Sequence, residues 1–419
     1  MHIFVLAARS LLNRWITVSL AVLAIGVSVA LLIGVEKIRT EAKSSFANTV
    51  SGTDLLVGAR SGAVPLLLYS VFRIGNASNN ISWDSYRHFA EHPQVAWTIP
   101  LSLGDSHQGF RVLGTSSGYF EHFRFGRGRS LSFSAGMPFD DLFDAVIGSA
   151  VAAELGYTPG QEIVVDHGIG RIGFASHRDK PFRVVGILAR TGTPVDRTVH
   201  VSLEAIEAIH VDWRGGVRMP GRSVGADELR QAELRPRAIT AFMVGLKSRF
   251  ATFEVQREIN EYRREPLLAI LPGVALHELW DLMGTAEAAL AGISIAVVFA
   301  GLLGMLIMLL STLGERRREI AILRSVGARP RHVVCLFVAE AMFLTMAGAA
   351  LGLALLYSGL AIAQPLIESR YGLHIAMAFL SDRELSYLGA MLIAGTAAGI
   401  LPAWLAYKRS VADGMTVRT

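Results

Sequence analysis

The chain has 419 residues, 52% of them hydrophobic and only 18% Asp, Glu, Lys or Arg, against about 25% charged residues in ordinary soluble chains. The shortfall is local, which excludes a wholly water-soluble protein and divides the chain into a membrane part and a water-exposed part. The formal net charge of +5 is explained largely by basic residues beside apolar runs, so it is no evidence for nucleic acid as a partner.

The first apolar run is Trp15 to Val35. Arg9 and Arg14 precede it, and it exceeds the apolar core of a cleaved leader, so it reads as a retained signal anchor. Three further runs, Ala288 to Thr312, Val333 to Ile362 and Leu385 to Tyr407, also reach the ~20 residues that cross a ~30 Å hydrocarbon core. Lys and Arg near span ends set the orientation. Arg9 and Arg14, the six arginines between Arg316 and Arg331, and Lys408 with Arg409 all fall on one side of a four-span chain. Both termini are therefore expected in the cytoplasm, and the region from about 36 to 287 outside. Lys37, Arg39 and Lys43 oppose this mildly, but Glu36 and Glu41 accompany them.

The external region is too long for a structureless connection. Glu36 to Thr49 continues the first span helically. Strands are expected at Thr53–Val57, Val95–Leu103, Phe110–Gly114, Ala145–Gly148, Glu162–Val165, Phe182–Leu188, Val199–Val201, Ala238–Leu246 and Pro266–Leu271. Helices are expected at Trp83–Glu91, Ser149–Leu155, Leu203–Ile209 with Ser202 as its N-cap, and Thr252–Tyr262. Trp213 to Gly225, rich in Gly and Arg, reads as a loop. The apolar stretch Pro65 to Ile74, within Ser61 to Asn80, is either a surface lid or a core helix. Val274 to Ala289 leads helically into the second span. The expected boundaries are 1–37 for the N-terminus and first span, 38–285 for the external domain, 286–313 for the second span, 314–332 for an inner segment, 333–363 for the third span, 364–384 for an outer loop, 385–408 for the fourth span, and 409–419 for a tail. Within the external domain, a β-rich insert at about 120–235 separates two α/β halves, about 45–119 and 236–285.

No nucleophile motif, phosphate loop or HExxH zinc motif occurs, and the two Gly-x-Gly groups lack the spacing of a nucleotide fingerprint. Without a Walker sequence, these residues cannot hydrolyse ATP by the P-loop route, so no cofactor is expected in the chain. The external histidines are His88, His92, His107, His122, His167, His177, His200, His210 and His277. His88 and His92 stand i,i+4 on one expected helix, and His277 with Glu278 sits just above the second span. These four are weak metal candidates, because histidine and carboxylate ligands suit zinc, but a histidine-bearing surface helix is usually only that, and structural or solvent-exposed histidines are the preferred reading. Lone Cys335 is expected to be a small buried hydrophobe. Glu340, about two turns into the third span, reads as a paired or interfacial carboxylate or as a functional group. Gly348, Gly352 and Gly359 suggest close helix packing, with a dimer seam as the candidate place.

The most patterned stretch is GERRREIAILRSVGARPR, Gly314 to Arg331. Ile320, Ala321 and Leu323 form an apolar stripe beside basic residues, Gly327-Ala328 allows a turn, and Pro330 suits the first turn of the next helix. A positive-inside anchor explains the arginines but not the stripe. Glu315 to His332 resembles the cytoplasmic segment of the FtsX/MacB/LolC-type ABC transporter permeases, the type VII mechanotransmission architecture. VIGSAVAAELGYTPGQEI, FRVVGIL and LPAWLAYKRSVADGM resemble that family as well. The resemblance implies an α+β membrane protein with four transmembrane helices. Its periplasmic α/β porter-like domain, carrying a β-rich insert, would lie between the first two helices in a bacterial inner membrane. It further implies a homodimer, or a pair with a close paralogue, bound to two copies of a separate ABC ATPase that holds ATP and Mg. Glu315, Arg317, Glu319, Ile320, Ala321, Arg324, Gly327 and Ala328 would meet that ATPase. A periplasmic adaptor or lipoprotein and membrane lipid complete the implied partners. The implied work is export or outer-leaflet extraction of a substrate, with regulation of a periplasmic enzyme, as by FtsX, or lipoprotein release as alternatives.

Overall fold

The computed structural model describes residues 14–49, 51–126, 128–168, 175–214, 217–218, 224–313, 325, 329–371 and 379–408. The chain divides into two units. One holds residues 1–41, 284–365 and 375–419, and the other holds 42–283 and 366–374.

The second unit is built on one mixed sheet. Its main strands are β1 (Leu55–Ala59), β2 (Val95–His107), β3 (Phe110–Thr115), β4 (Phe133–Gly136), β5 (Asp144–Ile147), β6 (Phe182–Leu188), β7 (Thr198–Ser202), β8 (Ala241–Leu246) and β9 (Leu267–Ile270). They lie in the order β9-β1-β8-β2-β3-β7-β5-β6-β4. The β3–β7 and β5–β6 pairs are parallel and the other pairs antiparallel. The strands expected in a separate insert thus continue the sheet of the flanking halves.

Local chemistry explains much of this. Gln108 and Gly109 both have positive φ, 49° and 89°, which is the two-residue turn that matches the twist of a hairpin. It folds β2 directly onto β3. The segment after β5 obeys equally simple rules. Helix Ser149–Leu155 follows Gly148 and stops at Gly156, whose φ of 69° is left-handed, as a glycine cap allows. Ser202 accepts from the Ala205 amide at 3.0 Å and so caps Leu203–His210 as expected.

β2 runs 13 residues, four beyond the expected end at Leu103. Its first half pairs with β8, from Val95 opposite Leu246 to Leu101 opposite Ala241. Its second half pairs with β3, but the register slips between Leu103 and Ser106. One extra residue there makes a bulge around Gly104-Asp105. A short strand, Asp166–His167, pairs with Ser106 and Asp105 and with Ala175–Ser176. The expected strand Glu162–Val165 is therefore split, with Glu162–Ile163 on β6.

Three apolar clusters line the sheet. One gathers Leu55, Val57, Phe89, Phe242 and Val255, a second Val112, Phe143, Phe182, Val199 and Ile209. The third joins Leu56, Ile99 and Met243 to Leu113 and Val146, so the core is continuous across both halves. The stretch left open between lid and core is core: Ala63–Ser70 is helical and buries Leu66, Leu67 and Tyr69. Trp213–Arg214 and Val217–Arg218, expected in a loop, pair as short strands. His200 on β7 is completely buried. Its Nδ1–H donates to the Val146 carbonyl at 3.2 Å. Burial, reinforced by the Arg73 guanidinium, pulls its ring down to about 3, so it is neutral in the fold.

Four helices, with most of their residues in the first unit, are long and apolar enough to cross a membrane: Trp15–Thr49, Pro272–Ser311, Arg331–Ile367 and Asp382–Leu405. Their buried faces mix large side chains such as Ile25, Ile33, Met305, Phe337 and Leu344 with small ones such as Ala21, Ser28, Ala341 and Ala349, and large apolar side chains also cover their outer faces, as expected where lipid replaces water. Leu20, Val27, Ile293, Phe299, Ile307 and Ile393 are exposed. A Cβ on Gly348 would come within 2.4 Å of Ile25, and one on Gly352 within 2.6 Å of the Gly26 carbonyl. These glycines seat the third span on the first, whereas a Cβ on Gly359 meets nothing within 4 Å. Cys335 is exposed rather than buried, because it lies on the outer face of its helix. Glu340 is fully buried.

Two of the basic residues that opposed the orientation, Lys37 and Arg39, are held by acids. Arg39 pairs with Glu36 at 2.9 Å and with Glu287 at 3.2 Å, and Arg383 lies 3.5 Å from Glu36. Lys37 lies 3.9 Å from Glu384, both side chains buried, and 5.7 Å from the Tyr357 ring centroid. Glu384 also accepts from the Ser381 amide at 2.8 Å, closing a capping box at the start of the fourth span. The outer ends of the spans are thereby tied together by charge.

Glu384→Ala should cost about 3 kcal/mol of stability, since it removes a buried carboxylate that faces Lys37 and closes the capping box of the fourth span. The pair Lys37→Met with Glu384→Leu should recover part of that loss, read as thermal midpoints of the detergent-solubilised chain. Gly352→Val should cost ~1–3 kcal/mol by overpacking, while Gly359→Ala should be neutral in the same assay. His200 predicts a pH effect. Its folded value lies below its unfolded 6.5, so stability is lost as pH falls from 6.5 toward about 3, at up to ~1.4 kcal/mol per pH unit. His200→Leu should remove about one proton's worth of that slope, measured as midpoint against pH, and an unchanged slope would show that this ring does not contribute.

Candidate functional site

The expected coupling residues Glu315, Arg317, Glu319, Ile320, Ala321, Arg324, Gly327 and Ala328 lie outside the described residues. Their flanks are described. Leu313, Val333, Phe337 and Ala403 form a buried cluster that packs the ends of the second, third and fourth spans beside the segment. Pro330 is the first residue of its helix, and the Arg329 amide donates to His332 Nδ1 at 2.9 Å, so the helix start is capped from within.

The three histidines among the weak metal candidates each have another partner. Helix Trp83–Ala90 ends before Glu91, so His92 falls past its end and does not share a helical face with His88. His88 stacks on Tyr262 at 5.3 Å between ring centroids, and His92 Nε2 lies 3.1 Å from Glu258. His277 is 3.8 Å from Asp281, both exposed, and Glu278 is exposed beside them.

The fold instead gathers Asp105, His167, His177 and His210, whose ligand atoms all lie within 4.8 Å of one another. The bulge in β2 supplies Asp105, and the strand paired to it supplies His167. His177 follows the hairpin's second strand, and His210 ends the helix capped by Ser202. His167 Nδ1 is 3.1 Å from Asp105 Oδ1 and 3.1 Å from His210 Nε2, while His210 Nε2 is 3.6 Å from the same carboxylate oxygen. His210 Nδ1–H donates to the Ile206 carbonyl at 2.7 Å. The Trp213 ring lies 4.8 Å from His177 and 5.7 Å from His167.

The electrostatics follow from burial and contact. Burial pushes the Asp105 carboxyl up, but hydrogen bonds from His167 and His210 outweigh it and hold the group at about 2. Burial pulls His210 down, yet its bond to Asp105 leaves it raised. For His177, burial, with His210 beside it, outweighs the nearby Asp105 charge and takes the ring down to about 4. Neighbouring Lys180 is buried and bound to Asp212 at 2.7 Å. The sequence shows the three histidines but not their convergence, because His167 and Asp105 are 62 positions apart. The missing signal is the pairing of Asp166–His167 with the bulged end of β2.

A cavity of about 380 Å³ in the same unit is lined by Phe46, Phe72, Arg73, Phe110, Arg111 and Arg197, among others, with no carboxylate among its lining residues. Arg111 is steadied by Asn76 at 3.2 Å and Arg197 by Glu154. Aromatic walls with guanidinium edges suit a ligand that is anionic and partly apolar.

Comparison with known proteins agrees with this architecture. The chain is 24% identical over 343 residues to the pyoverdine export ATP-binding/permease protein of Pseudomonas syringae pv. tomato, covering 77% of this chain and 46% of that protein. It is 26% identical over 361 residues to the protein of the same name from Pseudomonas entomophila, covering 80% and 48%. The chain spans about half the length of these curated relatives. Among solved structures, the periplasmic region of MacB from Actinobacillus actinomycetemcomitans aligns over 55% of this chain and 94% of its own, with 10% identity and a TM-score of 0.34. The extracellular domain of the noncanonic ABC-type transporter YknZ from Gram-positive bacteria aligns over 52% and 99%, with 13% identity and a TM-score of 0.31. The family model for the FtsX-like permease C-terminal matches residues 291–412. The model for the MacB-like periplasmic core domain matches residues 18–262, more than half of the chain, and the protein therefore belongs to the FtsX/MacB-like permease family.

Proposed function

We propose that the chain is the permease subunit of an ABC transporter that uses the ATPase of another chain to drive conformational change in its external domain, for export of a substrate. The observation that carries this reading is the order of the two family matches, a periplasmic core domain followed by a permease C-terminal, in residues without a Walker sequence. The names of the relatives, which pair an ATP-binding part with a permease in export, support the same division of labour.

In this reading two copies of the chain, or one with a close paralogue, meet two ATPase subunits, and ATP and Mg stay with the ATPase. Residues 314–328 are the contact, with Ile320 and Ala321 as apolar anchors and Arg317 and Arg324 as the charged rim. Pull or release on that segment acts on the packed ends of three spans. It then reaches the external residues through the helices Trp15–Thr49 and Pro272–Ser311. The open face at Gly359 is where a second copy would pack. The arginine-lined cavity is where an anionic, partly apolar substrate, handed on by an adaptor or drawn from the outer leaflet, would touch the domain.

The affinity-purified full-length chain should bring down a P-loop ATPase in about equal amount. Ile320→Glu and Arg324→Glu should each cut that recovery at least about tenfold without lowering the amount of chain in the membrane fraction. An ATPase that stays bound to both variants at the original level would remove the segment from this role.

A further inference from the structure

We propose that Asp105, His167, His177 and His210 form a binding site for a single divalent transition-metal ion of the zinc type in the external domain. The inference is independent of the permease reading, because it rests on side chains of one unit alone.

Three of the donor separations, 3.1, 3.1 and 3.6 Å, are close to the edge of a tetrahedral zinc shell, roughly 3.3 Å for bonds of about 2.0–2.1 Å. The longest separation is within 4.8 Å, so closing the shell asks for a contraction of about 1–1.5 Å at most. The ring that must move is the one without other obligations. His177 is buried, and neither of its ring nitrogens has a hydrogen-bond partner among the described residues. Buried polar atoms are nearly always satisfied, and one left bare costs about 1–3 kcal/mol. A metal accepts the lone pair that no hydrogen bond uses.

A metal-free hydrogen-bond network explains less. Asp105 already serves His167 and His210, and Asp212 is taken by Lys180. Neither arrangement accounts for His177. The tautomer of His210 points the same way. Its Nδ1–H is committed to the Ile206 carbonyl, so once the Nε2 proton shared with Asp105 is displaced by an ion, the Nε2 lone pair faces the cluster, the usual outer-shell device of metal-bound histidine. The Trp213 ring packs over two of the imidazoles and limits their contact with water.

The donor set selects the ion. Three imidazoles and one carboxylate suit Zn²⁺ and its first-row neighbours. Calcium and magnesium demand oxygen ligands, and soft ions prefer thiolates. Four protein ligands leave no open position, which is the pattern of a structural rather than a catalytic site. The ligands come from a β-bulge, from both sides of a hairpin and from a helix end. The ion would therefore staple the paired strands Asp166–His167 and Ala175–Ser176 and the helix Leu203–His210 to the longest strand of the sheet.

The test uses the full-length chain in detergent, stripped with a chelator and titrated with Zn²⁺ or with Co²⁺. Wild type should bind one equivalent in the external domain, show the intense visible bands of four-coordinate Co²⁺, and gain several degrees in thermal midpoint, as binding to the folded state requires. His177→Ala and Asp105→Asn should each weaken binding by about a hundredfold or more, while His88→Ala, a histidine away from the site, should leave it unchanged. Absence of stoichiometric Zn²⁺ and Co²⁺ binding by wild type overturns the proposal whatever the variants do. So does undiminished binding by a folded His177→Ala or Asp105→Asn chain.

Discussion

Everything in the external unit depends on one strand. β2 carries the sheet from one half to the other by pairing with β8 along its first part and with β3 along its second. Its side chains enter the cluster that joins the two flanking cores. Without a cysteine in the external region, no disulfide can replace that continuity, so backbone pairing and apolar burial must supply it. The unit is large enough for burial alone to suffice. The same strand bears the bulge that turns Asp105 toward the histidines, so the element that unifies the sheet also breaks its own regularity where chemistry converges.

The membrane unit solves a different problem. Between helices in lipid there is little hydrophobic gain from burying leucine, so close approach must come from small residues and from polar contacts. Gly26, Gly348 and Gly352 provide the first, and Ser28 provides the second by donating to the Val297 carbonyl at 3.1 Å while also reaching Ala24. The charges at the outer ends are costly to bury singly and are present as opposed groups. That pairing resolves the apparent conflict in the distribution of Lys and Arg, because Lys37 and Arg39 are not free anchors but members of a latch with Glu36, Glu287 and Glu384.

Much of the fold is legible in the residues themselves. Phe182–Leu188 alternates, Ser202 precedes an amphipathic run, and Gly156 follows a short helix, so each of these elements stands where its residues say it should. Ala63–Ser70 is undecidable from its composition, because an apolar helix looks the same whether it covers a core or a surface. The pairing of Asp166–His167 with Ala175–Ser176 is invisible because each strand is two residues long and has no periodicity to detect. His88 and His92 look paired by spacing alone, and the helix ends two residues too early for that spacing to matter.

The amino-acid sequence by itself determined the four spans, their orientation, the patterned inner segment and the family, because hydropathy, charge bias and motif are sums over neighbouring residues. Only the tertiary structure decided that the insert shares one sheet with its flanks, that the glycines at 348 and 352 are spent within the chain, and that one aspartate and three histidines meet. Those outcomes turn on strand register across long separations, where a single extra residue at Gly104-Asp105 redirects a carboxylate, and no local pattern encodes a register.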